Sequence, residues 1–237
     1  MDLLIILSEM NWSPLWISLK TGVTATVIAF FLGIFCARKA MRLGTGVRGI
    51  LDGILTLPLV LPPTVAGFIL LILFSLKRPF GKYLLENFDI RIVQTWKGCI
   101  IAAAVIAFPL MYRNARAAFE QVDVNLIHAG RTLGMSEGAI FWKVIMPTAA
   151  PGIASGTVLT FARAIGEYGA TSMLAGNILG KTRTISVAIA AETAAGNYDT
   201  AAFWVVVIVM LSFLVVTAIN LISGKNVQKG SHRGRWK

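Results

Sequence analysis

Long apolar stretches separated by shorter polar or basic stretches recur along this 237-residue chain. A helix needs about 20 mostly apolar residues to cross the hydrocarbon core of a bilayer, and five of the stretches meet or approach that length. The pattern therefore predicts an all-α integral membrane protein, with a single transmembrane domain over residues 1–237. The predicted spans are roughly 15–37, 50–76, 98–112, 147–170 and 200–222.

The composition changes this picture little: 56% of the residues are hydrophobic, 14% are charged and the mean hydropathy is +0.74. A soluble domain is about 45–50% apolar and about 25% charged. The net charge of +11 would suggest nucleic-acid binding in a soluble protein. Here the basic residues gather at the ends of apolar stretches, so the lipid bilayer is the expected partner and nucleic acid is not. Cys36 and Cys99 are isolated, which supports neither a disulfide framework nor a metal site.

The distribution of lysine and arginine predicts the orientation, because cytoplasmic segments are enriched in these residues. Thirteen of them lie in the three segments 38–48, 113–146 and 223–237. Seven lie in the three alternate segments 1–14, 77–97 and 171–199. The N-terminus is therefore expected outside and the basic tail inside. The first ten residues lack the basic region of a secretory signal and are expected to lead into the first span.

Residues 183–195 (RTISVAIAAETAA) are apolar enough to enter the bilayer and too short to span it. They predict a re-entrant half helix. Backbone of this kind is stable at membrane depth only where protein or a water-filled cavity surrounds it.

The segment 123–147 is the most informative polar stretch. Apolar residues recur in it at helical spacing, at Val124, Ile127 and Leu133. Gly134 is predicted to end this first helix, and Ser136 to cap a second one that runs into the fourth span at Pro147. Two short helices held at a membrane surface suit the docking of another protein. An interfacial helix that only packs on the bilayer is the alternative that these residues leave open.

Three prolines interrupt the second predicted span, within the stretch LPLVLPPTVAG at residues 57–67. Proline lacks the backbone N–H that an α-helix needs and its ring clashes with the preceding turn. The stretch therefore predicts a broken helix that lines a cavity or a moving gate. A static kink satisfied by neighbouring helices is the alternative.

One face of the fourth predicted span is polar. Gly156, Thr160, Arg163 and Glu167 fall on that face. An ionisable residue at membrane depth costs about 2.5–3.5 kcal/mol on insertion, so Arg163 and Glu167 are expected to face the bundle interior and to pair. Two interpretations remain open: a pathway in which Arg163 attracts an anion, and an ion pair that fixes the packing of the bundle.

The sequence His128-Ala129-Gly130, then Gly134, then Val144-Ile145-Met146-Pro147 resembles the coupling motif of binding-protein-dependent ABC importer permeases. That motif reads Glu-Ala-Ala, three residues, Gly, nine residues, Ile, one residue, Leu-Pro. Ala129, Gly134 and Pro147 match it, while His128 and Gly130 depart from it. The resemblance implies that a cytoplasmic ATPase is contacted by Ala129, Gly130, Arg131, Thr132, Gly134 and Pro147.

Four stretches are similar to the molybdate permease subunits of this family: LPLVLPPTVAG, VDVNLIHAGRTLG, FARAIGEYGAT and NILGKTRTI. The resemblance covers about residues 12–222. It implies a permease of an ATP-driven molybdate importer, with tungstate or sulfate as the alternative substrate. It also implies a homodimer with the pore on its two-fold axis, cytoplasmic ABC ATPase subunits, and a periplasmic or extracytoplasmic molybdate-binding protein, all at the bacterial cytoplasmic membrane.

The chain has no G-x-x-x-x-G-K-[ST] loop, so ATP is expected to be used by the partner and no cofactor to be bound by this chain. The chain contains no HExxH motif and is not expected to be a membrane enzyme. The sequence shows no internal repeat of the kind found in many secondary transporters, so that class is not expected. A tetrahedral dianion can be bound weakly by hydroxyls and by backbone N–H groups near helix ends. The predicted pathway residues are Pro62, Thr64, Thr160, Arg163, Glu167, Thr171 and Ser172.

Overall fold

A computed structural model describes the backbone of residues 11–231 and the side chains of residues 11–217. All regular elements within this range are helices, which confirms the all-α prediction. The expected lead-in at residues 1–10 and the last six residues of the tail lie outside the described range. The helices are α1 (Ser13–Ala40), α2 (Thr45–Val60), α3 (Pro63–Phe74), α4 (Pro79–Phe88), α5 (Trp96–Glu120), α6 (Val124–Thr132), α7 (Glu137–Ile165), α8 (Gly169–Leu174), α9 (Ile185–Ala194) and α10 (Tyr198–Ser231).

Four of these helices are long and apolar enough to cross a bilayer: α1, α5, α7 and the part of α10 from Tyr198 to Thr217. They correspond to four of the predicted spans, with different ends. Helix α5 continues to Glu120, past the expected end at residue 112, and its last turns bury Ala115, Ala118 and Phe119 in the core. Helix α7 ends at Ile165, before the expected end at residue 170.

The predicted second span is divided more sharply than a kinked helix. Helices α2 and α3 meet at 107°, so they form either one broken span or a re-entrant loop. Leu61 and Pro62 between them have extended backbone, with ψ angles of 142° and 135°. A residue that precedes proline is pushed out of the helical region, and two prolines in succession apply this restriction twice. The predicted proline break is confirmed.

The core lies where α1, α5 and α7 meet, and small residues allow the close packing. Ala29 and Ala37 of α1 and Ala107 of α5 are fully buried. A Cβ atom on Gly33 would lie 2.8 Å from Met111 Cγ, so no larger residue fits there. Small residues at helix crossings are the usual device in membrane bundles, where van der Waals packing replaces the hydrophobic effect.

None of the residues of α2 is fully buried, and the helix is attached to the core both by half-buried Leu51 and Leu55 and by polar contacts to α5. The Tyr112 hydroxyl donates to the Asp52 carboxylate, which also forms an ion pair with Arg116. Nearer the start of α2, Arg48 forms an ion pair with Glu120. These contacts involve partners far apart in the sequence, and nothing in the local pattern indicated them.

The segment predicted as a half helix contains the ten-residue helix α9. Its first turn is capped by Thr184, whose hydroxyl accepts the N–H of Val187 at 3.4 Å. Its buried residues Ile185 and Ala188 pack against Trp204 of α10. The short helix is thus held between other helices, while its depth in the membrane stays a prediction.

Candidate coupling and translocation sites

Helix α6 begins and ends at well-formed caps. At its start, Asp123 Oδ1 accepts the N–H of Asn125 at 2.8 Å. At its end, the N–H of Gly134 donates to Arg131 O at 2.9 Å and that of Met135 donates to Gly130 O at 3.0 Å. This pair of bonds requires a positive φ, which Gly134 supplies at +74°. The predicted helix stop at Gly134 is confirmed.

Helix α7 begins where Ser136 Oγ accepts the N–H of Ala139 at 3.3 Å, so the predicted cap is confirmed. The helix then contains one turn of π-helix, Phe141–Ile145, in which the N–H of Met146 donates to Phe141 O. Pro147 follows immediately. A π turn widens the helix locally, which accommodates a residue that has no N–H to give to the preceding turn.

Helix α6 and the start of α7 are fixed to one another. Gly130 is buried so closely against α7 that an added Cβ would lie 3.1 Å from Ile140 Cγ1. Arg131 Nε lies 2.7 Å from Glu137 Oε1, and its Nη2 lies 3.3 Å from Oε2. This forked hydrogen bond raises the pKa of Arg131 above its usual value. The segment is therefore a rigid two-helix unit rather than a loop.

This unit exposes apolar side chains. Leu133 is 79% exposed and Trp142 is 62% exposed, and Val124 and Leu126 are also exposed. Ala129, Arg131, Thr132, Gly134 and Pro147 are exposed, whereas Gly130 is buried. The opposite side is anchored, because Phe141 is buried and Arg38 of α1 lies 4.0 Å from the centre of its ring. Exposed apolar side chains on one side of an anchored unit suit the docking of another protein, and docking itself stays a prediction.

Helices α3 and α8 meet in close contact just after the proline break. A Cβ on Gly67 would lie 2.6 Å from Ala170 Cα, and a Cβ on Gly169 would lie 2.9 Å from Pro63 Cβ. The two backbones therefore approach as closely as glycine allows. We refer to this contact, with the α2–α3 bend beside it, as the elbow.

Glu167 joins the end of α7 to the elbow. Its side chain is 2% exposed, and its Oε1 accepts the N–H of Ala170 at 2.8 Å. Its Oε2 lies 2.7 Å from Arg163 Nη1, so the predicted ion pair is confirmed. That approach is not along a hydrogen-bonding direction, and Oε2 has no hydrogen-bond donor among the described residues. The carboxylate is thus neutralised by Arg163 and directed at the first turn of α8.

The other predicted pathway residues lie in two different environments. Pro62 and Thr64 are exposed at the elbow, and Ser172 is half-buried with its hydroxyl donating to Gly169 O at 3.0 Å. Thr160 and Thr171 are buried within the chain. The Thr160 hydroxyl already donates to Gly156 O at 2.7 Å. In the described conformation these two threonines reach no open surface, and the pathway as a whole stays a prediction.

Replacing Gly67 by alanine should destabilise the elbow. The new methyl group meets the Ala170 backbone, which cannot rotate away, and overpacking of this kind costs about 1–3 kcal/mol. We expect a lower Tm for the detergent-purified chain. Gly53→Ala is the control: that glycine lies inside α2 with open space around it, and alanine there should leave the Tm unchanged or raise it. A Gly67→Ala chain as stable as the parent would contradict the close contact.

The model of one protein family, described as "Binding-protein-dependent transport system inner membrane component", matches residues 29–229. The chain belongs to this family. It is therefore a multi-pass membrane protein and a transport permease, in agreement with its long apolar helices.

Curated relatives support this membership over most of the chain. The "Molybdenum transport system permease protein ModB" of Escherichia coli K12 is 42% identical over 78% of this chain and 80% of its own length. The "Putative molybdenum transport system permease protein YvgM" of Bacillus subtilis is 37% identical over 86% of this chain and 90% of its own. The "Sulfate transport system permease protein CysT" of E. coli K12 is 30% identical over 92% and 83%.

Solved structures of ABC transporters show the same fold. A chain of the MetNI methionine ABC transporter in an inward-facing form has a TM-score of 0.74 at 17% identity, over 95% of this chain and 99% of its own. A chain of a bacterial ABC transporter for alginate import has a TM-score of 0.75 at 14% identity, over 94% and 82%. The resemblance to the permease family is confirmed.

Proposed function

We propose that this chain is the membrane-spanning subunit of an ATP-driven importer of molybdate. The geometry that carries the transport role is the rigid α6–α7 unit, which displays apolar side chains at one end of a continuous membrane helix. The substrate rests on the relatives: identity is 42% to ModB of Escherichia coli K12 and 37% to YvgM of Bacillus subtilis, against 30% to CysT of E. coli K12.

The partners follow from this role. A cytoplasmic ABC ATPase subunit would receive Leu133 and Trp142 in a groove, and would bind and hydrolyse the ATP, because this chain carries no phosphate-binding loop. A second copy of the chain would complete a pore on a two-fold axis. A molybdate-binding protein would deliver the anion on the opposite side of the membrane. The N-terminus would lie outside and the C-terminus in the cytoplasm.

The contacts support a mechanical route from the ATPase to the pathway. Closure of the ATPases would displace the α6–α7 unit, and α7 would carry this movement to Glu167. Glu167 holds the first turn of α8, and α8 packs on α3 at Gly67. The movement would therefore change the angle between α2 and α3. Exposed Thr64 and half-buried Ser172 lie at this elbow and would contact the anion weakly, since Arg163 is already neutralised by Glu167.

Sulfate or tungstate is the second candidate substrate. The similarity to the sulfate permease of E. coli covers 92% of this chain, and all three tetrahedral dianions present four oxygen acceptors to a pore. Selection between them would then depend on the partner that captures the anion.

The test is uptake of radiolabelled molybdate by cells that lack their own molybdate permease and that express this chain with its ATPase and binding protein. We expect uptake that an excess of tungstate reduces and an excess of sulfate does not. An ATPase variant unable to hydrolyse ATP is the control and should give no uptake. Uptake of labelled sulfate alone would replace molybdate by sulfate, and absence of uptake for every oxyanion would overturn the proposal.

A further inference from the structure

A cavity of 610 Å³ lies beside the start of α1 and of α5. This volume falls in the roughly 300–1,000 Å³ range of small-molecule sites. Three cationic side chains line it, Lys20, Arg91 and Lys181, and none of its lining residues is acidic. Trp16 and Trp96 form aromatic walls. We call this the basic cavity.

The three cations come from separate parts of the chain. Lys20 lies on α1, Arg91 lies in the connection between α4 and α5, and Lys181 lies in the connection between α8 and α9. Folding alone brings them to one cavity. None of the three forms an ion pair with a carboxylate among the described side chains. Six of the seventeen arginine and lysine residues in that range do form such pairs, so these three cations are distinguished by their convergence on one cavity and not by being unpaired.

Two of the cations, Lys20 and Arg91, are oriented by groups that leave their charge uncompensated. Lys20 Nζ lies 3.9 Å from the centre of the Trp96 ring, and the Trp96 indole N–H donates to Thr21 Oγ1 at 2.9 Å. Arg91 Nε donates to Val93 O at 3.3 Å, and its Nη2 lies 3.4 Å from Gln94 Oε1. Aromatic rings and neutral oxygens orient these groups without cancelling their charge.

Lys181 lies on a turn that is held by hydrogen bonds. The backbone N–H of Lys181 donates to Ile178 O at 3.1 Å, and the hydroxyl of fully buried Thr182 accepts the N–H of Ile178 at 3.0 Å. The buried Thr182 hydroxyl therefore fixes the backbone of the turn that carries Lys181. Three like charges converging on one cavity repel one another, and a bound anion would remove that repulsion.

We propose that the basic cavity binds a tetrahedral oxyanion, either free in solution or as the phosphate of an anionic lipid. The forked N–H groups of arginine and the ammonium groups of lysine match this geometry and charge. The aromatic walls are of the kind found at the level of lipid headgroups. This inference does not rest on the proposed transport function, because binding is measured on the chain without its partners.

The test uses the full chain, purified in a neutral detergent and freed of lipid. Calorimetry at constant ionic strength would measure the binding of three probes: sodium phosphate, sodium molybdate and short-chain phosphatidylglycerol, with phosphatidylcholine as the uncharged comparison. Lys20→Gln/Arg91→Gln/Lys181→Gln should weaken binding by about tenfold or more, since it removes every charge-assisted contact. The charge-conserving Lys20→Arg/Arg91→Lys/Lys181→Arg should retain binding, which separates loss of charge from loss of fold.

The matched control is Lys77→Gln/Arg78→Gln/Lys97→Gln. It removes the same net charge from exposed residues that do not line the cavity, and it should leave binding unchanged. Binding of the free anions alone, or of phosphatidylglycerol alone, would support the site and identify the source of its ligand. Absence of binding by all three probes would overturn the proposal. Equal weakening by the control would also overturn it, because the attraction would then be a property of the whole charged surface.

Discussion

Replacing Leu133 by aspartate is expected to abolish uptake while the chain still reaches the membrane in normal amount. Leu133 is 79% exposed and follows the end of α6, so it contributes little to the fold of this chain. If its side chain fills a groove in the ATPase, a carboxylate there would be buried without a partner. Loss of a central apolar contact of this kind costs about 2 kcal/mol or more, equivalent to roughly 30-fold weaker binding.

Two measurements on the same cells check this expectation. Radiolabelled uptake reports transport, and co-purification of the ATPase with the tagged chain reports docking. Leu133→Met is the control, because it preserves volume and apolar character and should keep both. If Leu133→Asp lost uptake but still retained the ATPase, Leu133 would act elsewhere than in docking. Unchanged uptake would mean that the α6–α7 unit is not the docking surface.

Replacing Arg163 by leucine is expected to destabilise the chain by about 3–5 kcal/mol, because Glu167 would remain buried and charged without its partner. Adding Glu167→Gln should restore most of that loss. The glutamine oxygen can still accept the N–H of Ala170, and no uncompensated charge remains. The four chains of this cycle would be compared by thermal unfolding in detergent.

The same cycle decides between the two interpretations of this pair. A structural ion pair gives a low Tm for Arg163→Leu and recovery in the double variant. A chain with Arg163→Leu that melts like the parent but fails in uptake would assign Arg163 to the pathway instead. Arg131→Leu is the comparison, because it breaks an exposed ion pair and should change the Tm little.

The features that local sequence predicts well are those made by neighbouring residues. The stop at Gly134, the cap at Ser136 and the pair of Arg163 with Glu167 each depend on groups within a few positions of one another, and all three are present. The proline break is also local. The 107° angle between α2 and α3 is not a local feature, because it is accompanied by the close packing of Gly67 on Ala170, a residue far along the chain.

The features that sequence alone did not reveal depend on distant partners. Asp52 meets Tyr112, which is 60 positions away, and the basic cavity joins three separate segments.

The polar face of α7 shows a different difficulty. Helical periodicity placed Thr160 on the face that carries Arg163, but it does not say whether a polar face turns toward a pore or toward a neighbouring helix. The structure buries Thr160, whose hydroxyl is satisfied by its own helix.

The continuity of α7 from Glu137 to Ile165 constrains how relatives of this chain can diverge. Each residue turns a helix by about 100°, so inserting or deleting one residue between the α6–α7 unit and Arg163 would rotate that arginine away from the bundle interior. Point substitutions on α7 do not change the angular position of Arg163 around the helix axis. The π turn at Phe141–Ile145 is the place where an extra residue is already accommodated. Length changes in this protein family should therefore avoid α7 and fall in the connections on either side of it.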